Sequence, residues 1–240
     1  MSILSHTDGD VLYLSLNRPE AGHRIDAATI DELTDSLNAV APLDGGPGVV
    51  VLGSTGPDFS LGRQRPAVQS SDPLDIVEEF QQIQKLNEAV QRCRAVTIAA
   101  IRGRAEGAGL SLAGRCDIVI VAEDARLSFP EIPHGIPPTI VLSHYRYVLP
   151  RSILGDLIFT GRELSGQEAI QLGLAARVVS SENLDAVVLA MAKQVASYDR
   201  RSIALVKEFL ERTESLPAPL APSLGISLYA NEMSHRQLKG

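Results

Sequence analysis

Only two of the 240 residues are cysteine, Cys93 and Cys116. Two thiols in a chain of this length make no disulfide scaffold; they read as buried free thiols in a reducing compartment. Basic charge is also short, with 22 Lys and Arg against 29 Asp and Glu, a formal net charge of −7 and a pI near 5.3. Non-specific nucleic-acid binding needs a net basic face, so nucleic acid is not an expected partner. No apolar run reaches the length of a membrane span, and the N-terminus lacks a basic region followed by an apolar one. Neither a membrane partner nor a secretory signal is therefore expected, and the expected location is cytoplasmic. The histidines His6, His23, His134, His144 and His235 are scattered without metal-ligand spacing, so no metal is expected. Internal repeats and low-complexity linkers are missing too.

What is present suits one substantial core with a small helical appendage, given 45% hydrophobic and 21% charged residues. Residues 3–5 and 11–16 flank Thr7-Asp-Gly-Asp10 and read as a hairpin, ended by Asn17-Arg-Pro19. Asp26 can cap a helix whose apolar stripe is Ile30, Leu33, Leu37 and Val40. Gly45-Gly-Pro-Gly48 is a turn before a buried strand at 49–52, and Phe59-Ser-Leu-Gly62 follows as a loop. The polar segment 63–73 is expected to be a mobile surface connection, leading to a long helix over 74–92 and a strand over 96–101. Strands are expected over 117–122 and over 126–129, and Cys116 reads as lying inside an apolar strand pattern. From Pro138 the pattern turns mainly helical, with Ser165 as an N-cap, Gly173 as a stop, and amphipathic helices carrying Leu184 to Val195 and Ile203 to Leu210. Strands and helices alternate first and helices dominate later, which is an α/β core with a helical C-terminal part.

The densest information lies in Arg102-Gly-Arg-Ala-Glu-Gly-Ala-Gly-Leu-Ser-Leu-Ala-Gly-Arg-Cys-Asp117, read with Phe129-Pro-Glu-Ile132. The pattern is strand, glycine-rich turn, short helix and second strand, with a carboxylate soon after. A helix N-terminus built this way aims free backbone N–H groups at a small anion and has an acid or base beside it. That equipment stabilises an enolate or a tetrahedral oxyanion, so an enzyme is the first reading. Taken alone, Gly103, Gly107 and Gly109 need do no more than permit a tight turn.

In order and spacing, several blocks together resemble the crotonase superfamily, the enoyl-CoA hydratase/isomerase family. They are Asn17-Arg-Pro-Glu20, Phe59-Ser-Leu-Gly62, Gly103 to Asp117, Phe129-Pro-Glu131, and Thr160-Gly-Arg162 with Ala169, Gly173-Leu174 and Val178-Val179. The resemblance covers most of the chain. It implies a crotonase-like α/β core of repeated β-β-α units over residues 1–180 and a C-terminal helical region over 181–240. A homotrimer or dimer of trimers is implied as the assembly. The implied substrate is an acyl thioester of coenzyme A, with the coenzyme as part of the substrate and no separate cofactor. The implied oxyanion donors are the backbone N–H groups of Arg63 and Ala108; losing one such donor typically costs about 3–4 kcal/mol of barrier lowering. Leu61, Gly62 and Gly107 flank those donors on the substrate side. Arg24 is a candidate for the nucleotide phosphates, together with Arg63, Arg65, Arg102 and Arg104.

Two departures from the family pattern concern the donors. Ala108 stands where glycine is common, and its N–H still donates if its φ is negative. Arg63 stands where a small residue is frequent, which would narrow or charge the pocket mouth.

Hydratases of this family use two glutamates, one to activate water and one to handle the α-carbon proton. The second is present here as Glu131, while the first aligns with Ser111. Glu106, His134 and Ser111 are the candidate second acid/base groups, and His144 is a further candidate proton-transfer group. On a helix Glu106 would lie roughly 140° from Ser111. A histidine bonded to backbone is the commoner case, and Tyr145 and Tyr147 read as packing residues with a hydroxyl reaching solvent. One carboxylate suffices to move a proton from one carbon of an enoyl-CoA to another, which places double-bond isomerisation first. Hydration with a non-standard second acid comes next, and decarboxylation or C–C hydrolysis through the same oxyanion also fits. A non-catalytic acyl-CoA-binding or assembly subunit is the alternative that Ser111 and Ala108 motivate. A serine hydrolase is disfavoured, because Gly109-Leu-Ser-Leu112 lacks the glycine that follows a nucleophile elbow.

Overall fold

The computed structural model describes residues 1–65, 70–214 and 216–239. Strands β1 (Ile3–Asp8) and β2 (Val11–Leu16) pair antiparallel around Gly9, whose φ of +58° is the left-handed value the tight turn needs. After α1 (Ala27–Asn38) come β3 (Val49–Ser54), α2 (Pro73–Gln91) and β4 (Val96–Ile101). The expected mobile connection is partly described; residues 66–69 lie outside the described residues. The chain continues through β5 (Arg104–Glu106), α3 (Ala108–Ala113), β6 (Ile118–Ala122), β7 (Arg126–Ser128), α4 (Thr139–Tyr145) and α5 (Arg151–Thr160). Then follow β8 (Leu164–Ser165), α6 (Gly166–Gln171), β9 (Arg177–Val179), α7 (Leu184–Ala196), α8 (Arg200–Thr213) and α9 (Ala221–Lys239).

Among the described residues the strands form a six-stranded sheet, ordered β1-β2-β3-β4-β6-β9, and a three-stranded sheet, ordered β5-β7-β8. From β2 to β9 the large sheet is parallel. That explains the continuous apolar runs: Val49 to Leu52, Ile98 to Ile101 and Val119 to Ala122 are all buried, as strands covered on both faces must be. Helix α7 packs against β2, β3, β4 and β6, while α2 lies against α1 and α3.

Local signals explain several helix starts. Asp26 accepts from Thr29 N at 2.9 Å and caps α1, whose Ile30, Leu33 and Leu37 are buried. Ser165 and Glu168 form a reciprocal capping box on α6. Elsewhere tertiary pairing overrides local reading. Residues 104–106, within the expected glycine-rich turn, are the strand β5, paired in parallel with β7. The strands β8 and β9 also lie in the stretch that reads as helical. Cys116 sits in the turn before β6, half-buried, while Cys93 is buried; both thiols are free.

The second sheet is what positions the site. At Gly103 (φ +52°) the chain leaves β4 and turns into β5; a Cβ there would lie 2.1 Å from Pro57 O, so only glycine fits. A bridge between Ser60 and Ala105 then ties the 57–62 loop to β5. Beneath, Tyr145 is fully buried and its hydroxyl donates to Leu110 O of α3 at 3.1 Å. That hydroxyl does not reach solvent as expected; Tyr147 is the exposed member of the pair. Among the described residues, no helix is long and apolar enough to cross a membrane.

Candidate active site

One extended segment and one helix start each leave one backbone donor unused among the described residues. Gly62 O accepts from Ile25 N at 2.9 Å, and Gln64 N donates to Ile25 O at 2.8 Å. In such a bridge the intervening residue turns its own N–H to the opposite side, so Arg63 N–H points away from Ile25. It has no acceptor among the described residues. Gly62 (φ +84°) lets this segment close on the next one, since a Cβ there would be 3.1 Å from Glu106 O and 3.7 Å from Ala108 N.

Ala108 is the first residue of α3, following Gly107 with φ 48° and ψ −116°. Its N–H is one of the donors that a helix start leaves without an internal partner, and no acceptor within the described residues takes it. His23 is the one non-glycine residue with positive φ among those described, so Ala108 has negative φ and its N–H is able to donate.

Glu131 brings a carboxylate to these donors. It precedes a single 3₁₀ turn (Ile132–His134), and its carbonyl accepts from His134 N at 3.0 Å and Ile136 N at 2.9 Å, which fixes its backbone. The side chain lies over Gly107: a Cβ on Gly107 would stand 2.7 Å from Oε1. The other oxygen, Oε2, is buried without a partner among the described residues. Burial pushes the Glu131 carboxyl above its ordinary pKa, and the charge of Glu106 adds to the rise. Its own backbone N–H and His134 oppose that rise.

These groups line a cavity of about 880 Å³. Of the residues nominated from sequence it brings together Arg24, Leu61, Gly62, Arg63, Arg65, Glu106, Gly107, Ala108, Ser111, Glu131 and His134. Ser111 is buried and its Oγ has no partner among the described residues, so no histidine activates it as a nucleophile. Glu106 is half-buried, with Oε1 3.8 Å from Arg104 Nη1. His134 is exposed, with Nδ1 2.6 Å from Pro130 O.

Several expectations are corrected. The Arg63 guanidinium does not stand free at the mouth; it pairs with Glu79 and lies 4.8 Å over the Phe80 ring. Arg102 and Arg104 do not line this cavity. Arg102 pairs with Asp185 at a smaller cavity of about 350 Å³, and Arg104 binds Asp58. His144 is also absent from the lining, packed edge-on to Tyr145 at 5.0 Å, and burial lowers its pKa.

The sequence reading missed part of the wall, including Phe80, Ile83, Asn87 and Val141. For Asn87 a signal existed: it interrupts the apolar stripe Ile83, Leu86, Val90 on the buried face of α2.

A crotonase-like fold defines the class of protein, with half-buried Glu131 lining one cavity together with Arg63 and Ala108, whose N–H groups have no acceptor among the described residues. The model of the enoyl-CoA hydratase/isomerase family matches residues 6–239. A relative from Rhizobium meliloti (strain 1021), named as a probable enoyl-CoA hydratase, is 32% identical over 96% of this chain and 91% of its own length. The enoyl-CoA hydratase structure from Mycobacterium smegmatis superposes with a TM-score of 0.92 at 26% identity, covering 97% of this chain and 91% of that one. A structure from Thermobifida fusca YX in complex with acetoacetyl-CoA gives a TM-score of 0.85 at 26% identity, covering 98% and 95%. The chain belongs to the enoyl-CoA hydratase/isomerase family.

Proposed function

We propose that this protein isomerises the double bond of an enoyl-CoA, with Glu131 as the single acid/base. The observation that carries the reading is the placement of one half-buried carboxylate over Gly107, next to the N–H of Ala108, which has no acceptor among the described residues, with Ser111 at the position that the family resemblance gives to a second carboxylate. Acyl-CoA as ligand rests on family membership and on the Thermobifida fusca relative holding acetoacetyl-CoA.

In this reading the thioester oxygen of a 3-enoyl-CoA lies between Arg63 N–H and Ala108 N–H. Glu131 takes a proton from C2, and the electron pair moves through C1 onto that oxygen as a dienolate. The two N–H groups hold the charge without reorganising, because the Ile25 bridge and the start of α3 already fix them. Glu131 then returns the proton to C4, leaving the conjugated 2-enoyl-CoA and the original carboxylate. A raised carboxyl pKa favours this exchange by bringing base and carbon acid closer in proton affinity.

Hydration is the second reading, and Glu106 favours it: the side chain lines the same cavity and its charge acts on Glu131. Its pairing with Arg104 weighs against service as a free second acid. A homotrimer or dimer of trimers belongs to the same proposal, covering exposed Val206, Leu210, Ile226 and Tyr229 on the last helices.

The test follows the absorbance of the conjugated thioester with a 3-enoyl-CoA and a 2-enoyl-CoA supplied separately. A rise with the first, lost in Glu131→Gln, supports isomerisation. Loss of signal from the second, with a 3-hydroxyacyl product, replaces it by hydration.

A further inference from the structure

Three side-chain atoms around the main cavity are buried and have no partner among the described residues: Glu131 Oε2, Ser111 Oγ and Asn87 Nδ2. The acid/base role absorbs the first. The other two belong to residues that are only 3% and 2% exposed. Buried polar groups are almost always paired, so two orphans lining one cavity call for an explanation.

Their placement suggests what they meet. Ser111 lies three residues after Ala108 on α3, one turn deeper on the same helix face and about 4.5 Å along the axis. Helical side chains lean towards the N-terminus, so Ser111 borders the carbons next to the thioester rather than a distant chain end. Asn87 comes from α2, which packs against α3. An amide nitrogen can only donate and a hydroxyl can do either, so the pair fits an oxygen acceptor. A carboxylate is a poor match: the Arg63 guanidinium is held by Glu79, and a second desolvated anion would sit near Glu131. A neutral carbonyl or hydroxyl oxygen carries no such penalty.

We infer that Asn87 and Ser111 select an acyl-CoA bearing a neutral oxygen substituent within a few carbons of the thioester, over the plain hydrocarbon chain. The inference rests on the acyl-CoA reading above and narrows its substrate class. A plain chain leaves both groups dry and unpaired, whereas the oxygenated chain pairs them; sites of this kind reject the analogue lacking the oxygen. Leaving one buried polar group unsatisfied is worth roughly 5- to 150-fold in affinity.

The experiment is calorimetric binding of hexanoyl-CoA and its 3-oxo, 4-oxo and 5-oxo derivatives, saturated ligands that cannot isomerise. At least one oxo derivative is expected to bind the wild type 10-fold or more tightly than hexanoyl-CoA. In Asn87→Leu, a replacement of similar volume, that preference should shrink severalfold, hexanoyl-CoA should bind more tightly, and the melting temperature should rise. Ser111→Ala removes one oxygen and should reduce the same preference; it carries the test if Asn87→Leu does not fold. Tight hexanoyl-CoA binding with no oxo derivative preferred overturns the inference and leaves the acyl-CoA reading intact. An unchanged preference in the folded variants also overturns it. Failure of all four thioesters to bind overturns the acyl-CoA reading itself, and the inference with it.

Discussion

Replacing Gly107 by alanine puts a methyl group where the Glu131 carboxylate now lies. The added Cβ would be 2.7 Å from Oε1, against 3.4 Å for the start of ordinary contact. The carboxylate must retreat by about 0.7 Å, and a misplacement approaching 1 Å at a reacting group costs on the order of 100-fold in rate. The substitution also places a side chain at φ +48°, a conformation costing of order 1–3 kcal/mol for a residue with a Cβ. In a chain of this size each kcal/mol lowers the melting temperature by roughly 2–4 °C. Gly9→Ala separates the two effects, because Gly9 has φ +58° and nothing within 4 Å of its added Cβ. The assay pairs thermal unfolding with kcat on a 3-enoyl-CoA. Both variants should melt earlier, and only Gly107→Ala should lose about two orders of magnitude in kcat. A folded Gly107→Ala protein with kcat within twofold of wild type would refute the placement of Glu131 as the base.

The raised pKa of Glu131 makes a prediction for stability. The fold holds this proton more tightly than the unfolded chain does, so the group's favourable contribution is complete below the ordinary carboxylate value of 4.5 and is lost as pH rises through the raised value. Glu131→Gln should therefore match wild type at pH 4 or below and melt higher at pH 8, as thermal scans across pH would show. The acid limb of kcat/KM should have its midpoint above 4.5, because the carboxylate must be ionised to act as base. Ser165→Ala removes the cap of α6 and should cost about 1 kcal/mol in denaturant unfolding with turnover unchanged. Tyr145→Phe should cost only about 0.5–1.5 kcal/mol, since Leu110 O keeps its bond from Gly114 N.

The legible parts of this protein were those with strong local causes. Asp26 and Ser165 mark helix starts because their side chains satisfy backbone donors that nothing else nearby reaches. The site was legible because its donors and carboxylate sit in blocks dense in glycine and proline, where the backbone geometry is unusual. The short strands were not. Arg104–Glu106 carries two charged residues in three and becomes β5 only through its pairing with β7, a contact the local sequence does not encode. Helix α9 was hidden by the stretch from Pro217 to Pro222, which reads as a break. Pro222 in fact occupies the first turn of the helix, where its missing N–H costs nothing. The state of Arg63 was equally invisible, because its partners Glu79 and Phe80 come from α2, across the 66–69 segment. Asn87 carries a local signal, a polar residue interrupting the apolar stripe of α2, but the cavity it lines is formed only by tertiary packing.

The most direct test of the central claim runs the reaction of 3-hexenoyl-CoA in deuterated water and weighs the product. Glu131 acting as sole proton carrier predicts a conjugated product at the substrate's mass or up to one deuteron heavier, formed by wild type and lost in Glu131→Gln. A product heavier by one water, or undiminished formation of the conjugated thioester in Glu131→Gln, would contradict it.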